Sequence, residues 1–306
     1  MPRPADHAAR IDRALLALDG LSVGDAFGER FFVHPDLVDQ LISSRALPAA
    51  PWRWTDDTAM ALGIVEVLDH LGTLDQDELA RVFARRYGKE PHRGYGGGAH
   101  GILRDILGGA PWRATSTAAF EGQGSMGNGG AMRVAPLGAY FADDLAAVVE
   151  HARASAEVTH AHPDGQAGAI ATAIAGAAAW RMSAGLEPRS GARLLDLVVE
   201  HTPDSGTRDG LDRARNIELD SSPEIVAHML GSGNRVLSSD TVPFALWCAA
   251  RHLDDFEEAM WTTVSGLGDR DTTCAITGGV VALSAGRASI PAAWLAAREP
   301  LDLDGR

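Results

Sequence analysis

Apolar residues in this chain recur with the 3.6-residue period of an α-helix, and this periodicity is the strongest constraint on its fold. In segment 51–72, Ala61, Ile64, Val65 and Leu68 occupy one helical face, at positions i, i+3, i+4 and i+7. Strand signals are scarce, because β-branched residues are scattered and no clear two-residue hairpin turn is present. The pattern predicts an all-α fold, with further helices over 8–19, 76–87, 144–158, 165–184, 222–230, 240–252 and 255–265.

The 306 residues of the chain fit either one large domain or two small ones. No segment has the composition of a long linker between domains, and no repeat of fixed period is present. Glycine-rich interruptions lie at 93–101 and 121–133, and 200–222 is predicted to be a polar loop. We therefore predict a single compact multi-helix domain over 1–306.

The formal net charge of −14 limits the partners of this chain. It argues against a surface that binds nucleic acid or anionic membrane without specificity, although it leaves room for a local basic pocket. The two cysteines, Cys248 and Cys274, suggest neither a metal cluster nor a disulfide framework. Charges interrupt the apolar residues of 1–20, and no apolar run is long enough to span a bilayer. We expect a cytoplasmic monomer without nucleic-acid or membrane partners.

Three oxygen-bearing residues, Thr55, Asp56 and Asp57, open the helix predicted within 51–72. Thr and Asp cap helix N-termini, and acidic side chains in the first turn suit the helix dipole. The same residues would also suit a metal site, because a hard cation offsets the repulsion of adjacent carboxylates and Mg²⁺ prefers oxygen ligands. The motif alone leaves capping and metal binding both open.

A second junction of the same chemistry lies near the C-terminus, where Asp269, Asp271 and Thr272 precede a segment of small, mainly apolar residues. Together the two motifs offer four carboxylates and two hydroxyls, a set that suits two hard cations sharing bridging carboxylates. The set contains no His or Cys, the residues usual at zinc sites. If the two motifs do not converge in the fold, both are caps and surface turns.

Segments 96–101 and 122–127 match the pattern G-x-G-x-x-G of dinucleotide-binding folds. That fingerprint requires a preceding strand within a βαβ unit, and neither segment has one, so we reject it. The glycines still permit either tight turns between helices or a close backbone approach to an anion. Asn128 tolerates left-handed geometry and carries an amide donor. Arg133 is the basic residue nearest to the second segment.

Five short segments follow one another in an order that covers nearly the whole chain. They are SVGDAFGE (22–29), TDDTAMAL (55–62), GSMGNGGAMRVAPLG (124–138), AEVTHAHP (156–163) and GDRDTTCAITGG (268–279). Their combination resembles the ADP-ribosylglycohydrolase family, also called the dinitrogenase-reductase-activating glycohydrolase family. Within it, 89–98 and 120–134 are most similar to the branch that removes O-linked ADP-ribose, including serine-linked ADP-ribose and O-acetyl-ADP-ribose.

The resemblance implies an all-α domain of this family's type that holds two Mg²⁺ ions, with Mn²⁺ as an alternative. It matches Thr55, Asp56 and Asp57 to the family's first ligand triplet. It matches Asp269, Asp271 and Thr272 to the second triplet, whose usual form is Asp-Thr-Asp-Thr. In this chain Arg270 stands in the place of the intervening threonine. That threonine is not a usual metal ligand in the family.

The resemblance also implies a binding site for ADP-ribose or an ADP-ribosylated protein or small molecule. His160 matches a histidine near the phosphates, with a satisfied histidine at a helix end as the alternative. Phe120 matches an aromatic residue beside the adenosine. Met126 stands where the O-linked branch often has tyrosine, so one ligand contact is either lost or replaced by thioether packing. The loop that holds the diphosphate and distal ribose is matched by Gly124, Ser125, Gly127 and Asn128.

The implied activity is metal-dependent hydrolysis of the glycosidic bond between ADP-ribose and an acceptor. O-linked acceptors such as serine, O-acetyl-ADP-ribose and the polymer are favoured, with arginine as an alternative. Glu29, Asp56 or Asp271 would manage the proton. The family's flap glutamate has Phe32 in its place here, and Glu29 is the nearest carboxylate. Two rival hypotheses are a non-catalytic ADP-ribose-binding protein of the same fold and an unrelated di-metal phosphohydrolase.

Overall fold

The fold was analysed on a computed structural model that describes residues 3–303. Within that range the secondary structure consists of 16 α-helices and two short 3₁₀ segments. No strand occurs among these residues, and the only β-type pairings are two isolated bridges, Trp52 with Arg298 and Gly127 with Leu237. The predicted all-α class is confirmed.

Local capping signals explain where several helices of the first half begin. The Thr55 hydroxyl accepts from the backbone N–H of Asp57, and the Asp144 carboxylate accepts from two backbone N–H groups of the following turn. The helices are α1 (His7–Glu29), α2 (Pro35–Ser44), α3 (Asp56–Leu71), α4 (Gln76–Lys89), α5 (Gly97–Leu107), α6 (Trp112–Gly122), α7 (Ala135–Tyr140) and α8 (Leu145–Glu157).

The second half contains eight further helices, and one of them corrects the sequence-based expectation. Segment 200–222, predicted to be a polar loop, contains the helix Gly206–Arg215, which begins where Ser205 accepts from the N–H of Arg208. Its few apolar residues face the core, so a largely polar sequence still folds as a helix. The helices are α9 (Pro163–Ser183), α10 (Gly191–His201), α11 (Gly206–Arg215), α12 (Pro223–Leu230), α13 (Ser238–Arg251), α14 (Phe256–Ser265), α15 (Arg270–Ala285) and α16 (Ala292–Ala297).

Close packing of α1 against α15 sets the geometry of the candidate site. Gly20, Gly24 and Gly28 recur every fourth residue along α1. A Cβ atom added to any of them would lie 2.1 to 2.3 Å from a backbone oxygen of α15. Only glycine allows this approach, because any side chain would separate the two helix backbones. The C-terminal turn of α1 is thereby held beside the N-terminal turn of α15.

Most buried apolar residues form one large core cluster that extends from Ile11 to Trp294, beside a smaller cluster around Trp247. The central helix α9 is rich in alanine and is buried on nearly every side. A single main core agrees with one domain over 1–306, which stays a prediction. Within residues 3–303, no helix is both long enough and apolar enough to cross a membrane.

Candidate active site

A cleft of about 740 Å³ lies where the two acidic junctions meet. The predicted metal ligands Asp56, Asp57, Asp269, Asp271 and Thr272 all line it. The sequence left open whether the two motifs converge; in the fold they do, although 212 positions separate Asp57 from Asp269 in sequence (269 − 57). The predicted binding residues line the same cleft: Phe120, Gly124, Ser125, Met126, Gly127, Asn128 and His160.

Thr55 is the predicted ligand that lies outside the cleft lining. Its hydroxyl accepts from the backbone N–H of Asp57 at 3.3 Å, as a helix N-cap does. The backbone N–H of Asp56 donates to the carbonyl of Arg93 at 2.7 Å. The first motif is therefore compatible with both helix capping and metal binding, since Thr55 caps α3 while Asp56 and Asp57 line the cleft.

Asp25 is a functional candidate that the sequence analysis missed. It is fully buried, and its carboxylate accepts from the backbone N–H groups of Thr55, at 2.9 Å, and Thr58, at 3.1 Å, as well as from the Thr58 hydroxyl. Asp25 therefore fixes the turn that carries Asp56 and Asp57. The available signal was an acidic residue within the glycine-spaced, otherwise apolar stretch 20–28.

The second motif is held by hydrogen bonds that reach across the chain. The backbone N–H of Asp269 donates to the Ser232 carbonyl at 2.9 Å. The Asn128 amide donates to Asp269 Oδ2 at 2.7 Å and to the Thr241 hydroxyl at 3.0 Å. Asn128 therefore connects the glycine-rich loop directly to a predicted metal ligand.

Burial and mutual repulsion perturb the carboxylates of this cluster. Burial raises the pKa of Asp56 to about 8, with a further contribution from Asp25. Burial likewise raises the pKa values of Asp57 and Asp271 well above their ordinary value, and the negative charge of Asp271 adds to the shift of Asp57. Cations in the cleft would relieve this repulsion.

Two carboxylate oxygens in the cleft lack partners. Asp57 Oδ2 and Asp271 Oδ1 are sealed from solvent and make no hydrogen bond to the described residues. Buried acceptors of this kind are uncommon, because leaving one unsatisfied costs free energy. Within residues 3–303, no group of three or more His, Cys, Asp or Glu side chains has the arrangement of a formed metal site.

The glycine-rich loop lines the same cleft and offers unpaired donors. The backbone N–H groups of Ser125 and Met126 have no acceptor among residues 3–303. The loop is fixed from outside by a second segment, in which Val236 O accepts from the Asn128 N–H at 3.2 Å and the Ser238 N–H donates to Met126 O at 3.0 Å. Free backbone N–H groups in a loop that is held in place by such hydrogen bonds are suited to an anionic ligand.

The other glycine-rich interruption, predicted over 93–101, also reaches the cleft. Gly94, Gly96, Gly97 and Gly98 line it, and α5 begins at Gly97 without a side-chain cap. A Cβ at Gly98 would lie 3.0 Å from the Phe120 ring. Glycine at this position therefore makes room for the aromatic side chain at the cleft.

Backbone strain is concentrated at the mouth of the cleft. Phe120, Glu121 and Val236 all line it and have left-handed backbone conformations, with φ of 52°, 59° and 56°. Such conformations cost about 1–3 kcal/mol each in non-glycine residues and tend to occur at functional sites. Phe120 and Val236 also expose 58% and 52% of their surface, an unusual degree for large apolar residues.

Known proteins similar to this chain point to the same chemistry. A family model described as "ADP-ribosylglycohydrolase" matches residues 6–304. The chain belongs to the ADP-ribosylglycohydrolase family. It is accordingly a hydrolase that acts on glycosyl bonds.

Three relatives illustrate the extent of the match. "ADP-ribosylhydrolase ARH3" of Homo sapiens is 28% identical, over 94% of this chain and 89% of that protein. The "ADP-ribosyl-[dinitrogen reductase] glycohydrolase" of Rhodospirillum rubrum is 27% identical, over 96% of this chain and 92% of that protein. A solved "ADP-ribosylglycohydrolase-related protein complex" superposes with a TM-score of 0.67 at 26% identity, covering 95% of this chain and 93% of that one.

Glu29 and Phe32, the two residues considered in place of the family's flap glutamate, lie outside the cleft lining. Glu29 ends α1, and burial together with the nearby Asp25 and Asp269 carboxylates raises its pKa. Phe32 is about half exposed, and its ring lies 4.8 Å from the Arg270 guanidinium. Arg270 also donates to the Phe31 carbonyl at 2.6 Å. The residue that replaces the family's intervening threonine thus anchors the segment that follows α1.

The basic side chain at the cleft is that of Arg235, and not that of Arg133, which is nearest to the glycine-rich loop in sequence. Arg133 is fully buried and lies outside the cleft lining. Arg235, which sequence reasoning did not single out, lines the cleft beside Val236 and pairs with Asp240 at 3.3 Å. It is the one lysine or arginine among the cleft residues that the structure describes. Arg235 reaches the cleft because the segment that contains it, 235–238, is hydrogen-bonded to the glycine-rich loop. This contact is not apparent from the sequence.

Asp56→Asn is expected to stabilise the metal-free enzyme, more at pH 8 than at pH 5. The folded pKa of about 8 lies above the ordinary value, 3.8. Asp56 therefore costs the native state increasing stability as pH rises from about 4 to about 8, and the cost then levels off. Asparagine removes that cost without changing the side-chain volume.

Melting temperatures in excess chelator at pH 5 and pH 8 measure this difference. The exposed Asp220→Asn serves as the matched control and should change the melting temperature equally at both values. An Asp56→Asn gain that is the same at pH 5 and pH 8 would contradict the assignment of an uncompensated buried carboxylate.

Proposed function

We propose that this enzyme cleaves the glycosidic bond between the distal ribose of ADP-ribose and an O-linked acceptor, with the help of two divalent cations. The proposal rests on the observation that the carboxylate cluster and the glycine-rich loop line the same cleft. The loop supplies neutral donors for a diphosphate, and the carboxylates supply oxygen ligands beside it. The O-linked acceptor rests on the family branch that segments 89–98 and 120–134 resemble, and arginine is the alternative.

The donor set fits Mg²⁺, with Mn²⁺ as the alternative. All candidate ligands are oxygen atoms, and two carboxylate oxygens among them are buried without partners. Asp56, Asp57, Asp269, Asp271 and Thr272 would hold the ions, with Thr55 supporting the first turn of α3. When bound, such ions would polarise the ribose oxygens and lower the pKa of bound water.

The residues of the chain itself would bind and orient the substrate. Backbone N–H groups of Ser125 and Met126 would bind the diphosphate, Arg235 would add positive charge, and Phe120 would pack against the adenine. Asp56 and Asp271 are better placed than Glu29 to manage the proton, because both line the cleft and Glu29 does not. Glu29 would serve as a proton donor only if the segment after α1 moved towards the cleft.

Product identification on a panel of substrates tests this function. The panel contains a serine-linked peptide, an arginine-linked peptide, O-acetyl-ADP-ribose and poly-ADP-ribose, each incubated with the enzyme and Mg²⁺. We expect free ADP-ribose and an intact acceptor, with the O-linked substrates turned over fastest. Release of inorganic phosphate or AMP without ADP-ribose would indicate the phosphohydrolase alternative and overturn the proposal.

Gly127→Val is expected to weaken ADP-ribose binding more than Arg235→Gln does. A Cβ at residue 127 would lie 3.1 Å from the Ser125 hydroxyl and 3.3 Å from His160 Nε2, so valine displaces two cleft residues. Arg235→Gln removes one exposed charge and leaves the backbone donors in place. Calorimetric titration of ADP-ribose into both variants compares them. Normal affinity in Gly127→Val, with a large loss in Arg235→Gln, would show that side-chain charge holds the diphosphate instead.

A further inference from the structure

A chain of three side chains leads from the protein core to the cleft. Arg133 Nη2 donates to the Ser155 carbonyl at 2.8 Å and to the Thr159 hydroxyl oxygen at 3.0 Å. The Thr159 oxygen in turn lies 2.7 Å from Nδ1 of His160. Arg133 and Thr159 are essentially inaccessible to solvent, so neither can satisfy its hydrogen bonds with bulk water.

Counting protons along this chain gives one arrangement that satisfies every group. A guanidinium only donates, so the Thr159 oxygen must accept from Arg133. The Thr159 hydroxyl proton then has one acceptor within reach among the described residues, Nδ1 of His160. If Nδ1 carried the proton instead, the Thr159 oxygen would accept twice, and its own proton would be buried without a partner.

The opposite nitrogen of His160 faces the cleft. His160 is a cleft residue, and its Nε2 has no hydrogen-bond partner among residues 3–303. Cβ atoms added to Gly127 and Gly129 would lie 3.3 and 3.1 Å from Nε2. Nε2 thus lies against the loop that would bind the diphosphate. Burial lowers the pKa of His160 to about 3, so the ring is neutral at physiological pH and its tautomer decides what it offers a ligand.

We propose that Thr159, held in place by Arg133, is a positioning residue that fixes His160 in the tautomer with the proton on Nε2. His160 then presents a neutral N–H donor to the cleft, and the group that it recognises is an acceptor oxygen of the ligand's diphosphate. A hydroxyl proton of the ligand would find no acceptor at this nitrogen. The identity of the ligand rests on the proposed function, whereas the tautomer follows from the buried hydrogen bonds alone.

Thr159→Val and Thr159→Ser separate this role from a purely structural one. Valine keeps the shape of threonine and removes the hydroxyl, while serine restores it. We expect ¹⁵N NMR of the imidazole to show protonated Nε2 in the wild type and in Thr159→Ser, and a mixture of tautomers in Thr159→Val. ADP-ribose affinity should fall in Thr159→Val by the same factor as the Nε2-protonated population, about twofold for an even mixture, and recover in Thr159→Ser.

Thr172→Val is the matched control, because Thr172 is fully buried in α9 and its hydroxyl has no partner among the described residues. It should leave both the tautomer and the affinity unchanged. Protonated Nδ1 in the wild type would overturn the proposal, as would a Thr159→Val protein with normal tautomer and affinity. If Thr159→Val does not fold, the wild-type and Thr159→Ser spectra still decide the tautomer. A wild-type protein that shows protonated Nε2 but fails to bind ADP-ribose would refute the proposed function and leave the tautomer assignment standing.

Discussion

Asp271→Ala is expected to remove nearly all turnover of ADP-ribosylated substrates while leaving the fold intact. Asp271 lies in the first turn of α15 and lines the cleft, and its Oδ1 is buried without a partner. As a ligand to a cation it would act on the reaction centre directly. Its loss should reduce turnover on the order of 10²–10³-fold, the range for removing one electrostatic stabiliser from an active site.

Stability in chelator is expected to stay constant or rise in the same variant. The substitution removes an acid from the N-terminal turn of α15, which costs about 0.3–1 kcal/mol. It also removes the repulsion between Asp271 and the buried carboxylates Asp57 and Asp269, which offsets that cost.

Turnover assays and thermal melts of wild type, Asp271→Ala and the exposed Asp254→Ala measure both effects. Asp254→Ala should match the wild type in each. Turnover near the wild-type level in Asp271→Ala would rule out this aspartate as a ligand. A large fall in melting temperature would instead indicate that its role is to stabilise the fold.

Removal of divalent cations is expected to eliminate turnover, and added Mg²⁺ is expected to restore it. The cluster of Asp56, Asp57, Asp269 and Asp271 places four carboxylates around one cleft, where burial and mutual repulsion oppose their ionisation. Cations would neutralise the cluster and bind the native state alone, because the ligands are far apart in the unfolded chain. At 100 times the dissociation constant, such binding stabilises the fold by about 2.7 kcal/mol.

The measurement is turnover and melting temperature after dialysis against chelator, before and after titration with Mg²⁺, Mn²⁺ or Zn²⁺. Mg²⁺ and Mn²⁺ should restore activity and raise the melting temperature of the wild type, and Mg²⁺ should stabilise Asp271→Ala much less. Full turnover in excess chelator would exclude the two-cation mechanism, whatever the effect on stability.

Helix capping and metal binding, the two roles considered for the first acidic motif, belong to different side chains of the motif. The Thr55 hydroxyl caps α3, and the Asp25 carboxylate binds the backbone of the same turn, so the side chains of Asp56 and Asp57 are not needed for capping. Asp57 Oδ2 consequently remains without a partner at the cleft. A local pattern could not separate the two roles, because capping and metal binding use the same residue types at the same position.

Short-range periodicity and composition are enough to predict the helical class, the position of most long helices and the residue types available for chemistry. The periodic segment within 51–72 became α3, and the predicted helix at 76–87 became α4. The sequence missed α11 within 200–222, since a mostly polar helix is stabilised by the core that it packs against.

Which of those residues meet depends on the packing of helices that are far apart in the sequence. The approach of α1 to α15 depends on glycines that carry no chemistry themselves, yet it places Asp25 beneath one acidic motif and the second motif beside it. The same long-range packing buries Arg133, nearest in sequence to the binding loop, and brings Arg235 to the cleft. Contacts between distant segments form because of the shape and volume of whole helices, and a residue's neighbours in sequence do not specify them.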